Sequence, residues 1–154
     1  MASAVRQAVT QDAHRVVELV QQLAATIGED SPVSATTVED FLAYPGSGVL
    51  LAEEGGRVVG LLSYSVRPNL YHAANVCLIE DLIVDRAARG RGIGSALVEA
   101  MFAHAHACGC AEVSVTTMPD NTVARSFYQR FGLVDEAIYL EKHLHNGGSS
   151  REAQ

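Results

Sequence analysis

Apolar positions along this chain change their spacing several times, and each change marks an element. Val16, Leu19, Val20, Leu23 and Ile27 return every three or four positions, the spacing of one helix face. Asp12 is placed to cap that helix and Gly28 to end it. A short strand over residues 5–10 precedes it, and a shorter helix over 37–43 follows, closed by Pro45 and Gly46. The period then falls to two. Residues 49–53 and 57–66 flank Gly55-Gly56, which predicts a hairpin whose turn uses the positive φ angles that glycine accepts. After a loop at 67–72, residues 76–84 read as the next strand. Helical spacing returns at Ile93, Ala96, Leu97, Ala100 and Met101 and runs to Cys108, with Gly109 as the stop. A strand over 112–117 comes next, then a helix over 122–131 with Ala124, Phe127, Tyr128 and Phe131 on one face. A last strand within 133–144 completes the order β-α-α-β-β-β-α-β-α-β, an α/β domain with a mixed sheet. Residues 1–145 are expected to form one domain, and the Gly- and Ser-rich residues 146–154 a disordered tail.

Charge sharpens this picture more than bulk composition does. The 154 residues carry 18 acids against 11 bases, a net charge of −7, which argues against nucleic acid as a main partner. Three of those eleven bases nevertheless fall at Arg86, Arg89 and Arg91. Cysteines at 77, 108 and 110 form no Cys-x-x-Cys pair, so reduced thiols and a cytoplasmic location are expected. No apolar run approaches the ~18 residues of a membrane span, and no membrane partner is expected. Five of the six histidines, at 72, 104, 106, 143 and 145, raise the question of a metal. His104 and His106 diverge by about 200° on a helix, and His143 and His145 lack an evident third ligand, so no metal is expected.

The candidate chemistry lies where the basic cluster meets glycine. A β-branched run ends in Leu82-Ile83-Val84, a loop carries Arg89-Gly90-Arg91-Gly92, and a helix opens at Ile93-Gly94-Ser95. Free N–H groups at a helix start, its positive dipole end and glycines that admit close approach together hold an anion. A Walker-type loop needs a Lys-Ser/Thr pair that is missing here, and a Rossmann fingerprint needs glycine where Ser95 stands. The spacing that does fit is Arg89-x-x-Gly92-x-Gly94. Two carboxylates, Glu80 and Asp81, interrupt the strand just before it; regular alternation would point them to opposite faces.

Arg89-x-x-Gly92-x-Gly94 resembles the pyrophosphate signature of the GNAT (GCN5-related N-acetyltransferase) superfamily. About thirty residues on, Asp120-Asn121-x-x-Ala124-x-x-Phe127-Tyr128-x-x-Phe131-Gly132 resembles the asparagine-to-tyrosine helix of the same enzymes. Within it, Glu80-Asp81 is similar to the small-molecule amine and polyamine acetyltransferase branch. The resemblance implies a mixed, mostly antiparallel sheet of six to seven strands flanked by about four helices. It implies acetyl-CoA as co-substrate, held by the main chain of Leu82, Ile83 and Val84, by Arg89, Gly90, Arg91, Gly92, Ile93, Gly94 and Ser95, and by Asn121 and Ala124. Tyr128 would stand beside the sulfur as an acid. Glu80, with Asp81 second, would be the base, and Glu29 would join both in binding the acceptor. The expected activity is direct acetyl transfer to a primary amine of a small molecule. Two alternatives stand beside it: a protein N-terminal or lysine acetyltransferase, and a non-catalytic acyl-CoA-binding module. Dimerisation is common in the resembled family, so a homodimer is also expected.

Overall fold

A computed structural model of the protein describes residues 3–144. The expected tail and His145 lie outside the described residues. One sheet runs in the order β1 (Ala4–Gln7), β2 (Ser47–Glu54), β3 (Arg57–Asn69), β4 (Ala74–Val84) and β5 (Cys110–Val115). The first four strands are antiparallel neighbours, and β5 joins β4 in parallel. The switch follows from the connection, because α3 (Ile93–Ala107) carries the chain back across the sheet before β5 begins. Helices α1 (Ala13–Thr26) and α2 (Ala35–Ala43) link β1 to β2, and α4 (Thr122–Gln129) follows β5.

Both faces of the sheet are covered, which explains why β2 is apolar without alternation through Val49, Leu50, Leu51 and Ala52. Val49 and Leu51 pack with Leu61 and Ile83 against Val16 and Leu19 of α1 and Val38 of α2. On the other face Leu50, Leu62, Cys77 and Ile79 meet Ile93, Leu97 and Met101 of α3, and Tyr128 of α4. Gly60 of β3 sets how close α3 comes. A Cβ there would lie 3.0 Å from the Ile93 side chain and 3.2 Å from that of Leu97. The bare glycine lets the first turn of α3 settle onto the strand. Cys77 is buried in this layer, and burial pushes its thiol up to about 12; Cys108 and Cys110 are half-buried, and all three are free.

Five strands form among the described residues, rather than six to seven, and the strand expected within 133–144 is absent. Its apolar residues are exposed instead: Ile138 by 87%, Leu140 by 88% and Leu144 by 80%. Alternation marks a segment able to pair, but pairing also needs a neighbouring edge in register. Residues 133–144 hydrogen-bond to no strand, so the pattern has nothing to act on.

Candidate active site

The β4–β5 ladder stops early. Its last pair is Ile79 with Val115, so Glu80, Asp81, Leu82, Ile83 and Val84 have no strand partner on that side among the described residues. Apart from the Val84 carbonyl, which accepts from Arg89 Nε, their outward main-chain groups remain available to an extended ligand laid along the edge. On the other side β3 pairs with all of β4 except for one irregularity: Ser63 faces Asp81 while Tyr64 faces Ile79, leaving Glu80 as the extra residue of a bulge.

That bulge corrects the expectation for the two carboxylates. Before it, Cys77 and Ile79 face α3; after it, Leu82 and Val84 do, so the alternation has shifted by one. The Ser63 hydroxyl donates to Asp81 Oδ2 at 2.6 Å, and the Ser65 hydroxyl donates to Glu80 Oε1 at 3.0 Å. Ser63 and Ser65 are two apart on β3 and share one face, that of Leu61 and hence of α1 and α2. Glu80 and Asp81 therefore stand on the same face, Glu80 exposed and Asp81 half-buried. The two serines were not recognised in the sequence, although polar positions 63 and 65 inside an apolar run were a visible signal.

Beyond the free edge the chain makes a 3-10 turn, Arg86–Ala88, and then passes Gly90 and Gly92 with φ of 78° and 79°. A Cβ on either glycine would meet nothing within 4 Å, so open space lies over both. The first hydrogen bond closing α3 runs from Ala96 N to Gly92 O at 3.0 Å. The N–H groups of Ile93, Gly94 and Ser95 precede that bond and have no partner within the helix. With fifteen residues of aligned peptide dipoles behind it, this end of α3 attracts negative charge. Positive-φ glycines, open space and free amides are what a diphosphate requires, so the residues present fit the group expected here.

The arginines divide. Arg91 pairs with Glu54 at 3.1 Å and donates to the Ala87 carbonyl at 3.0 Å, strapping the loop to the β2–β3 hairpin. Arg89 donates Nε to the Val84 carbonyl at 3.2 Å, at the end of the free edge. An open cleft of about 810 Å³ lies next to this strap, lined by Glu53, Glu54, Arg57 and Asp85 among others. Its charges already have partners in Arg6, Arg91 and Arg15, so it offers little to a charged ligand.

On the α3 side, Tyr128 is buried with its ring 5.1 Å from that of Phe127. Burial first, and the Asp81 carboxylate second, push its phenol up to about 12. Tyr128 and Asp81 thus lie on opposite faces of the sheet, near enough for the carboxylate to act on the phenol. Asn121 caps α4, its Oδ1 accepting from Ala124 N at 3.1 Å, and Ala124 packs on the core. Glu29 is exposed in the loop after α1. Among the described residues no group of three His, Cys, Asp or Glu could hold a metal ion.

Comparison with known proteins bears on the family and the fold. A family model described as Acetyltransferase (GNAT) family matches residues 3–133. Glucosamine 6-phosphate N-acetyltransferase 1 of Oryza sativa subsp. japonica is 34% identical over 95 residues, covering 60% of this chain and 56% of the rice protein. The chain therefore aligns with little more than half of that relative's length. Glucosamine 6-phosphate N-acetyltransferase of Arabidopsis thaliana is 25% identical over 132 residues, covering 83% of this chain and 87% of its own. A solved aminoglycoside acetyltransferase from an uncultured soil metagenomic sample superposes with a TM-score of 0.81 over 93% of this chain and 97% of its own. At 20% identity that likeness shows the fold.

Proposed function

The chain belongs to the acetyltransferase (GNAT) family, and from that premise we propose that it transfers an acetyl group from acetyl-CoA to the primary amine of a small molecule. One observation carries the reading: a strand edge left free from Glu80 to Val84 leads straight into a glycine-lined cradle of unpaired amides. Leu82, Ile83 and Val84 would hold the pantetheine arm through their main chain. The amides from Gly90 to Ser95, with Arg89 and Arg91, would hold the diphosphate, and Asn121 and Ala124 would line its other side. Acetyl-CoA supplies an activated thioester.

The acceptor must lose a proton to react. An amine of pKa ~10.4 is about one part in a thousand neutral near pH 7.4, an opposing term of roughly 4 kcal/mol. Glu80 would take that proton, directly or through water, a role supported by its exposure and by Asp81 on the same face. Tyr128 would stand beside the leaving sulfur. Its phenol, at about 12, lies some 3.5 pH units above a thiol of ~8.5, so complete proton transfer would cost ~5 kcal/mol. It acts as a hydrogen-bond donor that steadies the thiolate.

A consequence can be read in the pH profile. Tyr128 keeps its proton to about pH 12, so kcat/KM rises with pH as the amine deprotonates and shows no fall from the phenol below pH 11. Stability follows the same group. Its folded value lies above the unfolded ~10, so its contribution is complete below pH ~10 and is lost as pH climbs through about 12. Alkaline melts of Tyr128→Phe should be flatter than wild type by ~2–3 kcal/mol over that window; an identical slope would contradict the assignment.

Two relatives are named for glucosamine 6-phosphate, while the paired carboxylates favour a cationic amine. A panel containing polyamines, aminoglycosides, amino acid derivatives, aminoalkylphosphonates, glucosamine 6-phosphate and peptides decides the acceptor. Acetyl-CoA consumption with mass spectrometry of the product is the measurement. Acetylated peptides with untouched free amines would overturn the small-molecule reading, and coenzyme binding without any turnover would favour a silent binding module. A homodimer belongs to the same proposal, supported by the exposed Ile138 and Leu140 and checked by light scattering. A cytoplasmic location does too, supported by the three free thiols and checked by cell fractionation.

A further inference from the structure

Asp85 follows β4 directly and is 6% exposed, the one buried carboxylate among the described residues. Its side chain binds in two directions. Oδ1 accepts from Ala87 N at 3.1 Å and so caps the turn Arg86–Ala88, while Oδ2 accepts from Arg15 Nη2 of α1 at 2.5 Å. Its main chain is tied as well, N to the Val59 carbonyl at 2.7 Å and O from Ala88 N at 2.8 Å. Arg15 is itself aimed, since its Nε donates to the Val58 carbonyl at 3.0 Å and its Nη1 pairs with Glu18 at 2.7 Å. Arg57 adds a second cation at 3.4 Å. These bonds join α1, the start of β3 and the turn that carries the cradle at a single point.

We propose that Asp85 and Arg15 are positioning residues for the coenzyme: together they fix where the anion cradle begins and keep its charge favourable. The inference rests on the coenzyme reading above and goes beyond it, because neither residue lies on the cradle amides. Two physical reasons support it. A main-chain nest holds a diphosphate well only when its amides are already aimed, and Asp85 holds the first of these turns from within. A lone carboxylate this close to the cradle would also repel an anion. Arg15 and Arg57 answer that charge, and with Glu18 also on Arg15 the cluster is neutral rather than negative. The Arg15 bond holds the Asp85 carboxyl below the usual carboxylate range, which keeps the pair ionised across the working pH.

Removing the cation should therefore hurt more than removing the anion. Arg15→Met leaves a buried, poorly paired carboxylate near the diphosphate site and is expected to raise the CoA dissociation constant and the acetyl-CoA KM by about thirtyfold. Asp85→Asn, which keeps the turn-capping oxygen, should raise both by about fivefold, and the double variant should fall back toward that value. In all three, kcat at saturating coenzyme should stay within about threefold of wild type, a split that general destabilisation would not produce. Calorimetric titration with CoA and steady-state kinetics on proteins with cooperative melts give these numbers. CoA affinity within twofold of wild type in both single variants overturns the proposal, as does a fall in kcat at unchanged KM. If neither single variant melts cooperatively, Arg15→Lys decides. It keeps the charge but loses the fork that reaches both Val58 and Asp85, and an unchanged acetyl-CoA KM in it overturns the proposal. A wild-type protein that binds no CoA removes the coenzyme reading itself, a result distinct from wild-type binding with indifferent variants.

Discussion

Replacing Glu80 by Gln and Asp81 by Asn together is expected to lower kcat/KM by about 10³ or more, with CoA affinity within about twofold of wild type. The amides keep size and shape, and the hydroxyls of Ser63 and Ser65 can still donate to their carbonyl oxygens. What disappears is the ability to accept a proton from an ammonium. Because the bulge puts both carboxylates on one face, each can partly stand in for the other. Single variants should then lose less, about ten- to a hundredfold, and the double should exceed either. The defect should also shrink toward pH 10, where an amine of pKa ~10.4 sheds its proton unaided. Retention of a tenth of wild-type activity by the double variant, or a defect that ignores pH, would sink the base assignment.

Gly92→Val carries the second large effect and falls on binding. Gly92 has φ of 79°, a left-handed conformation in which a β-branched side chain is strained by more than ~1 kcal/mol. Its new methyl groups would also project into the open space over the cradle. Strain alone would lower stability; filling the cradle would lower coenzyme affinity. Gly109 separates these effects, since it too has positive φ, at 67°, and open space, but lies at the far end of α3. Gly92→Val should raise the CoA dissociation constant by about a hundredfold, whereas Gly109→Val should lose comparable stability and bind CoA as wild type does. Equal binding by both variants in calorimetry would mean that the space over Gly92 holds no ligand.

Much of the site was legible along the chain because its parts are local. A helix start, the glycines before it and the arginines among them lie within Arg89 to Ser95, and their chemistry depends on near neighbours. Asn121 and Tyr128 share one short helix for the same reason. The relation of Glu80 to Asp81 was not legible. Alternation assigns them opposite faces, and only the pairing of Ser63 with Asp81 and Tyr64 with Ile79 shows that one residue is looped out. Asp85 and Arg15, seventy positions apart, carry no mutual signal in spacing or composition.

By itself the chain determined the type and order of its elements as far as α4, because the 3.6 and 2.0 periods of apolar residues are consequences of local backbone geometry. It also determined the local geometry of the candidate cradle, because glycines accept the positive φ of the loop and the first amides of a helix have no partner within it. Tertiary structure alone decided the register of β4 on β3, the strand edge left open beyond Ile79 and the unpaired state of residues 133–144. Those outcomes depend on which edges meet and at what offset. A hydrogen bond across a sheet is a property of two segments, and neither segment encodes it separately.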